Sequence, residues 1–215
     1  MMSKVKIENP NIDFDLPAAS LQDIFENEDP SLRHCTISTC SAEIKNYDRT
    51  DFSQVVFKQV KLNGSSFKNV ELTDVIFDNC DLSNVDFLGA IIHRVEFKDT
   101  KMVGVNLADA TLRNVRFENS IMHLSSFNYS SPKQIIFDHC SLKGTDFYAC
   151  KFNKVQFQHC DINEVNFSQT PLKNVDLSNS TFERLIVSLD ELEGCIISSE
   201  QAVAFAAMLG LKVKE

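Results

Sequence analysis

The 215-residue sequence holds no CxxC pair, no HExxH, no serine nucleophile elbow and no glycine-rich phosphate loop. Short patterns of that kind announce zinc, acyl-transfer and nucleotide chemistry, and none is announced here. No stretch approaches about eighteen apolar residues, so no membrane span is expected. No charged start leads into an apolar run, so no signal peptide is read and a cytoplasmic protein is expected. Glycine is scarce at six residues; Gly64, Gly104 and Gly144 are spaced by forty, as turn positions with φ > 0 would be. Bases are outnumbered, 21 against 30 acids, for a net charge of −9. That balance suits solubility and also a basic partner surface. It does not suit direct binding to nucleic acid, which is not expected.

What the sequence has in place of motifs is a period of five. From Phe52 through Phe57, Leu62, Phe67, Leu72 and Phe77 to Ile197, every fifth residue is a large hydrophobe, with Pro132 the one exception. Only Phe14, Phe25 and Phe205 of the 17 phenylalanines fall off this register. A surface helix repeats near 3.6 residues and a half-buried strand at 2, so neither explains it. A fixed period over this length indicates stacked repeats that bury their apolar faces only against neighbours. Two residues before each hydrophobe stands a small or β-branched residue, such as Val55, Val60, Ser65, Val70 and Cys80. All seven cysteines occupy this inward position, where thiols act as compact hydrophobes. Cys140 and Cys160 are spaced to meet, so a disulfide between them is conceivable, but a reducing compartment disfavours it.

The unit small, polar, large, polar, polar resembles the pentapeptide-repeat family, as in Cys80-Asp81-Leu82-Ser83-Asn84, Thr145-Asp146-Phe147-Tyr148-Ala149 and Val165-Asn166-Phe167-Ser168-Gln169. The resemblance implies an all-β solenoid, a right-handed quadrilateral parallel β-helix with four pentapeptides and twenty residues per coil. The twenty-residue spacing of Phe57, Phe77, Phe97, Phe117, Phe137 and Phe157 supports that coil independently. Seven to eight coils are expected. At a strand spacing of ~4.8 Å they would make a rod roughly 35–40 Å long. The expected organisation is a cap segment over residues 1–31, the β-helix over 32–197, and a C-terminal helix and strand over 198–215.

An open solenoid needs covers at both ends. Pro17 to Pro30 reads as a short N-terminal helix with Leu21, Ile24 and Phe25 on its apolar face, or as a flexible arm. Repeats 32–51 are poor matches, with Ala42 and Tyr47 at the large position, as terminal repeats often are. At the other end Ser198 and Gln201 form a capping-box signature and Gly210 a stop. Between them residues 202–209 carry no polar side chain, so that helix must be covered on more than one side. It either tucks wholly into its own rod end or meets a second copy, a homodimer through Val203, Phe205, Met208, Leu209, Leu211 and Val213. Residues 211–214 alternate like an edge strand.

The tail from Gly194-Cys195-Ile196-Ile197 to Met208-Leu209-Gly210-Leu211 is similar to that of the pentapeptide proteins that protect bacterial type II topoisomerases from quinolones. That resemblance implies a head-on dimer, a rod imitating a DNA duplex, and DNA gyrase or topoisomerase IV as partner. Unlike members with loops between coils, this chain keeps its count of five unbroken from 52 to 197.

Assigning outward residues to four faces places the candidate acidic surface, Asp78, Glu96, Asp99, Glu118 and Asp138, on the face of Phe57, Phe77 and Phe97, against Lys58, Lys98 and Arg116. A duplex carries one charge per ~1.7 Å, so a rod of this length would need roughly twenty. The fourth face, centred on Phe52 and Leu72, carries Arg94, Arg113, Lys133, Lys151, Lys154 and Lys173 in its middle, a basic stripe. His139 and His159 should stack beside Asp138, but a third metal ligand is lacking. Pro132 removes a ladder donor and predicts a local dent. With its residues taken by packing, the chain is expected to be a protein-binding scaffold, without catalysis, cofactor or metal.

Overall fold

The computed structural model describes residues 5–25, 30–42, 46–208 and 210–213. Seven parallel strands follow one another at twenty-residue intervals: β1 (Ser31–Ser38), β2 (Asp51–Lys58), β3 (Glu71–Asp78), β4 (Ile91–Lys98), β5 (Thr111–Glu118), β6 (Ser131–Asp138) and β7 (Asn153–Gln158). They form a single sheet in the order β1 to β7. The register never slips: Phe57 pairs with Phe77, Phe77 with Phe97, and so to Phe157. Each full strand spans two faces. Gln54, Asp74, Arg94, Asn114 and Gln134 lie in the left-handed region, φ between 50° and 58°, and turn the chain through a corner inside the strand. The other two faces are tight turns joined by single parallel bridges, such as Lys61 to Asp81 and Ser66 to Asp86.

The inward positions fill the prism. Phe57, Phe77, Phe97, Phe117, Phe137 and Phe157 stack nearly parallel, with centroids 4.7–5.0 Å apart and planes within 7°. Leu62, Leu82, Met102, Met122, Leu142 and Ile162 build an aliphatic ladder beside them, each fully buried. Several small polar residues tolerate the interior by bonding backbone carbonyls. Thr100 Oγ1 donates to Lys98 O (2.9 Å), Ser120 Oγ to Glu118 O (2.9 Å) and Thr145 Oγ1 to Met122 O (2.8 Å).

The Asp or Asn before a central hydrophobe has a local purpose on the turn faces. Asp81, Asp86, Asn106, Asp146, Asp161, Asn166 and Asp176 each accept from the amide two residues on. These are Asx turns, which close a corner without a neighbouring coil.

The regular stack has six strand-to-strand steps, about six turns against the seven to eight expected. Prolines stand at both places where the strand ladder thins. Ser131 N and Lys151 N each donate to the coil below (3.0 and 3.1 Å), and Pro171 at the next rung has no N–H to give. No eighth strand forms there, and the last coil is held by bridges such as Asp161–Thr181 and Asp176–Ile196. Pro132 is buried and stays in register opposite Leu112. Its mark is a late start for β7, which pairs only from Asn153.

The ends differ in detail from the sequence reading. At the N-terminus the expected short helical cap is a 3-10 turn, Leu21–Phe25, with Leu21 and Ile24 buried; residues 26–29 of the expected span lie outside the described residues. The preceding residues are extended because Ala18 pairs with Thr36 of β1. Helix α1 (Ser199–Met208) closes the other end. Its capping box is reciprocal: Gln201 N donates to Ser198 Oγ (3.2 Å) and Ser198 N to Gln201 Oε1 (2.9 Å). Gln201 Nε2 also donates to Leu177 O and Ser180 O, so one side chain plugs the last coil. Leu211 N bonds Ala206 O and Gly210 N bonds Ala207 O, with Gly210 at φ 76°, a Schellman ending. Residues 211–213 therefore leave a helix cap and form no strand, contrary to the expected edge strand.

Candidate interaction surfaces

The five predicted acids stand along the phenylalanine ladder with bases interleaved among them. Lys98 stands in register between Asp78 and Glu118. Arg116 bonds Asp138 at 3.2 Å, and His139 Nδ1 lies 2.8 Å from the same carboxylate. Asp99 accepts from Asn119 Nδ2 (3.2 Å). Glu96 is half-buried beside Arg116; burial pushes its carboxyl up, with Arg116 opposing. On the neighbouring turn face Asp86 and Asp146 accept from Asn106 and Asn166, so these acids brace the coils. A column of alternating and paired charges does not reproduce the uniform charge of a duplex.

The predicted basic stripe is also altered by its surroundings. Arg94 is bound by Asp74 through two contacts, at 2.6 and 2.7 Å, and Asp74 is only 6% exposed. Burial pushes the Asp74 carboxyl up. Hydrogen bonds from Arg94 and the Asn11 amide, with the Arg94 and His93 charges, outweigh it and hold it below the usual carboxylate range. Arg113, Lys133, Lys151, Lys154 and Lys173 are exposed.

The N-terminal segment explains part of this, and the sequence reading missed it. Gln134 Nε2 donates to Lys6 O (3.0 Å), Arg94 reaches Glu8 (4.0 Å), Asn11 N donates to Asp74 Oδ1 (2.9 Å), Gln54 Nε2 donates to Asn11 O (3.2 Å), and His34 lies 3.4 Å from Asp13. The partners lie on one corner, from the sixth strand back to the first, with Asn114 of the fifth passed over. Five rungs at ~4.8 Å span about 24 Å, which seven extended residues also cover at ~3.4 Å each. The segment thus runs straight along the prism edge, across the strands. The available signal was the alternation of Val5 and Ile7 and the acids Glu8 and Asp13 opposite a basic stripe.

At the C-terminal end a groove of about 260 Å³ is lined by Leu192, Cys195, Ile197, Ala202, Phe205, Ala206 and Leu211. Phe205 is 9% exposed and packs on Phe182 (5.3 Å), so it belongs to the cap. Val203, Leu211 and Val213 are exposed. Leu209 and the side chain of Met208 lie outside the described residues.

All seven cysteines are free, Cys140 and Cys160 included. Burial pushes the thiols of Cys80 and Cys150 up to about 11, far from a reactive thiolate. His139 and His159 stack at 5.0 Å, and among the described residues no three potential ligands converge on a metal. Among the described residues no helix is long and apolar enough to cross a membrane.

A closed prism of stacked five-residue units is the architecture of pentapeptide-repeat proteins. The family model for the pentapeptide repeat region matches residues 70–137 and 130–201, and the model for eight pentapeptide repeats matches 50–89. The chain belongs to the pentapeptide-repeat family. No curated protein matches it. Among solved structures it is similar to a trypsin-treated form of QnrB1, a plasmid-mediated fluoroquinolone resistance protein, at 19% identity over 86% of this chain and 92% of that one, with a TM-score of 0.49. It is also similar to HetL, involved in heterocyst differentiation regulation in the cyanobacterium Nostoc sp. strain PCC 7120, at 14% identity over 79% and 90%, with a TM-score of 0.35. A third is a pentapeptide repeat protein of the Arabidopsis thaliana thylakoid lumen, at 18% identity over 64% and 68%, with a TM-score of 0.26.

Proposed function

We propose that the chain is a non-catalytic protein-binding rod, a cytoplasmic interaction scaffold. The observation that carries this reading is the filled interior. The central hydrophobes of β2 to β6 and of the intervening turns are at most 1% exposed, which leaves only sides and ends for recognition. Rigid sides also suit binding, because a surface fixed by ladders loses little freedom on association. A photocrosslinking amino acid placed at outward corners of each face tests it. One partner protein captured reproducibly from one face is the expected result, and no protein adduct from any face contradicts it.

The topoisomerase reading has the rod shape and the Gly194–Leu211 tail in its favour, and the bases interleaved along the acidic face against it. A gyrase supercoiling assay with and without ciprofloxacin separates the two. The scaffold reading expects neither inhibition nor protection at micromolar protein. Association through the C-terminal groove is part of the proposal, since Val203, Leu211 and Val213 expose apolar surface around it. Val203→Asp with Leu211→Asp should sediment as a monomer where the unaltered chain sediments as a dimer. An unaltered chain that is already monomeric removes the dimer.

A further inference from the structure

We infer that the corner formed by Gln54, Asp74, Arg94, Asn114 and Gln134 is a recognition edge for an extended peptide of a partner protein, and that residues 5–16 hold it as an exchangeable occupant. The inference deepens the protein-binding reading and rests on it. Its test, however, needs no physiological partner, so either can fail alone.

Three features of the edge point this way. First, Gln54, Asp74 and Gln134 bond the occupant's main chain, at Asn11 O, Asn11 N and Lys6 O. Any extended peptide offers those groups, and only Arg94 and His34 look for a side-chain carboxylate. Second, the occupant fits incompletely. Between the Gln134 and Arg94 contacts it must pass Asn114, which is 1% exposed with neither Oδ1 nor Nδ2 bonded. The flanking side chains on the same corner all find partners. A buried carboxamide without one is a recognition group that this occupant does not use, and filling it favours a better-matched peptide. Third, the segment is lightly held. Val5, Ile7, Ile12 and Leu16 are only half-buried, and Phe14 stands free in solvent. Running across the strands, the segment adds no rung to the ladder, so its departure leaves the coils intact.

The partner segment is therefore an extended peptide with an acidic residue for Arg94, a polar side chain one position earlier for Asn114, and aliphatic residues spaced along it. A buried carboxylate at Asp74, bonded to the occupant's amide, asks for a peptide N–H and disfavours a polyanion.

The test uses full-length protein and a fluorescein-labelled synthetic peptide of residues 5–16, read by anisotropy. In the unaltered chain the tethered segment competes at millimolar effective concentration. Ile7→Asp with Ile12→Asp in the protein should loosen it and tighten peptide binding by about tenfold or more, as freeing the competent state requires. Glu8→Lys is the second variant, expected to act in the same direction. A peptide carrying Ile7→Gln should bind the loosened protein more tightly than the parent peptide, and Asn114→Ala should abolish that gain. Equal binding to unaltered and loosened proteins, no binding up to about millimolar peptide, or a gain that survives Asn114→Ala would each overturn the inference.

Discussion

Phe97 offers the sharpest test of the interior. It is fully buried, with Phe77 at 5.0 Å and Phe117 at 4.9 Å, planes within 6°. Phe97→Leu keeps the site apolar and removes both ring pairs. Each pair contributes ~0.5–1.5 kcal/mol beyond burial, so the two losses alone reach about 1–3 kcal/mol. A small residual cavity adds to this. The informative quantity is the coupling. In a double-mutant cycle with Phe117→Leu, the interaction energy should be about 0.5–1.5 kcal/mol. In a cycle with Phe137→Leu, two rungs away, it should fall within the ~0.3–0.5 kcal/mol scatter of independent sites. Urea unfolding followed by far-UV circular dichroism measures both, with coincidence of a second probe checked because repeat arrays lose cooperativity. Coupling to Phe137 as large as to Phe117 would refute rung-by-rung stacking.

Leu124 holds φ 56° and is 72% exposed, so Leu124→Gly should relieve left-handed strain of ~1–2 kcal/mol, less ~0.5–1 kcal/mol of glycine chain entropy, and raise the unfolding midpoint. Gly104→Ala should do the opposite, since at φ 68° its new Cβ would collide with Asn84 Oδ1; an unchanged midpoint contradicts the corner geometry. Gln201→Ala should cost ~1–3 kcal/mol by leaving buried carbonyls unpaired, and amide exchange should speed first around Leu177 and Ser180. Because the Asp74 carboxyl is held below its unfolded value, its contribution is fully present above the ordinary carboxylate range and lost as pH falls through the lowered value. The Asn11 amide should then exchange faster in acid after correction for intrinsic rates, and Asp74→Asn should remove that dependence.

The prism was legible because its interior demands one large and one small side chain per five residues. Nothing interrupts that count between Phe52 and Ile197. The capping box at Ser198 and Gln201 was equally plain, since both partners lie within one turn. The eighth strand gives way to a turn at Leu172–Val175, just past Pro171, and the hydrophobic pattern keeps its count through that change. How far the charge of the acidic face is offset depends on which side chains meet across a rung, as Arg116 meets Asp138, and the repeat pattern does not carry that. The N-terminal segment was least visible. It is held by corner side chains bonding its backbone, and backbone groups carry no sequence signature.

Residue-resolved hydrogen exchange of the unaltered protein, with and without millimolar peptide of residues 5–16, examines rigid sides and an exchangeable edge together. The prediction is faster exchange at the Asn11 amide on adding peptide, with ladder amides such as Leu82 N and Met102 N, bonded to the next coil at 2.7 Å, keeping their protection. An Asn11 amide that does not respond, or ladder amides that open along with it, would contradict a closed prism with one replaceable edge.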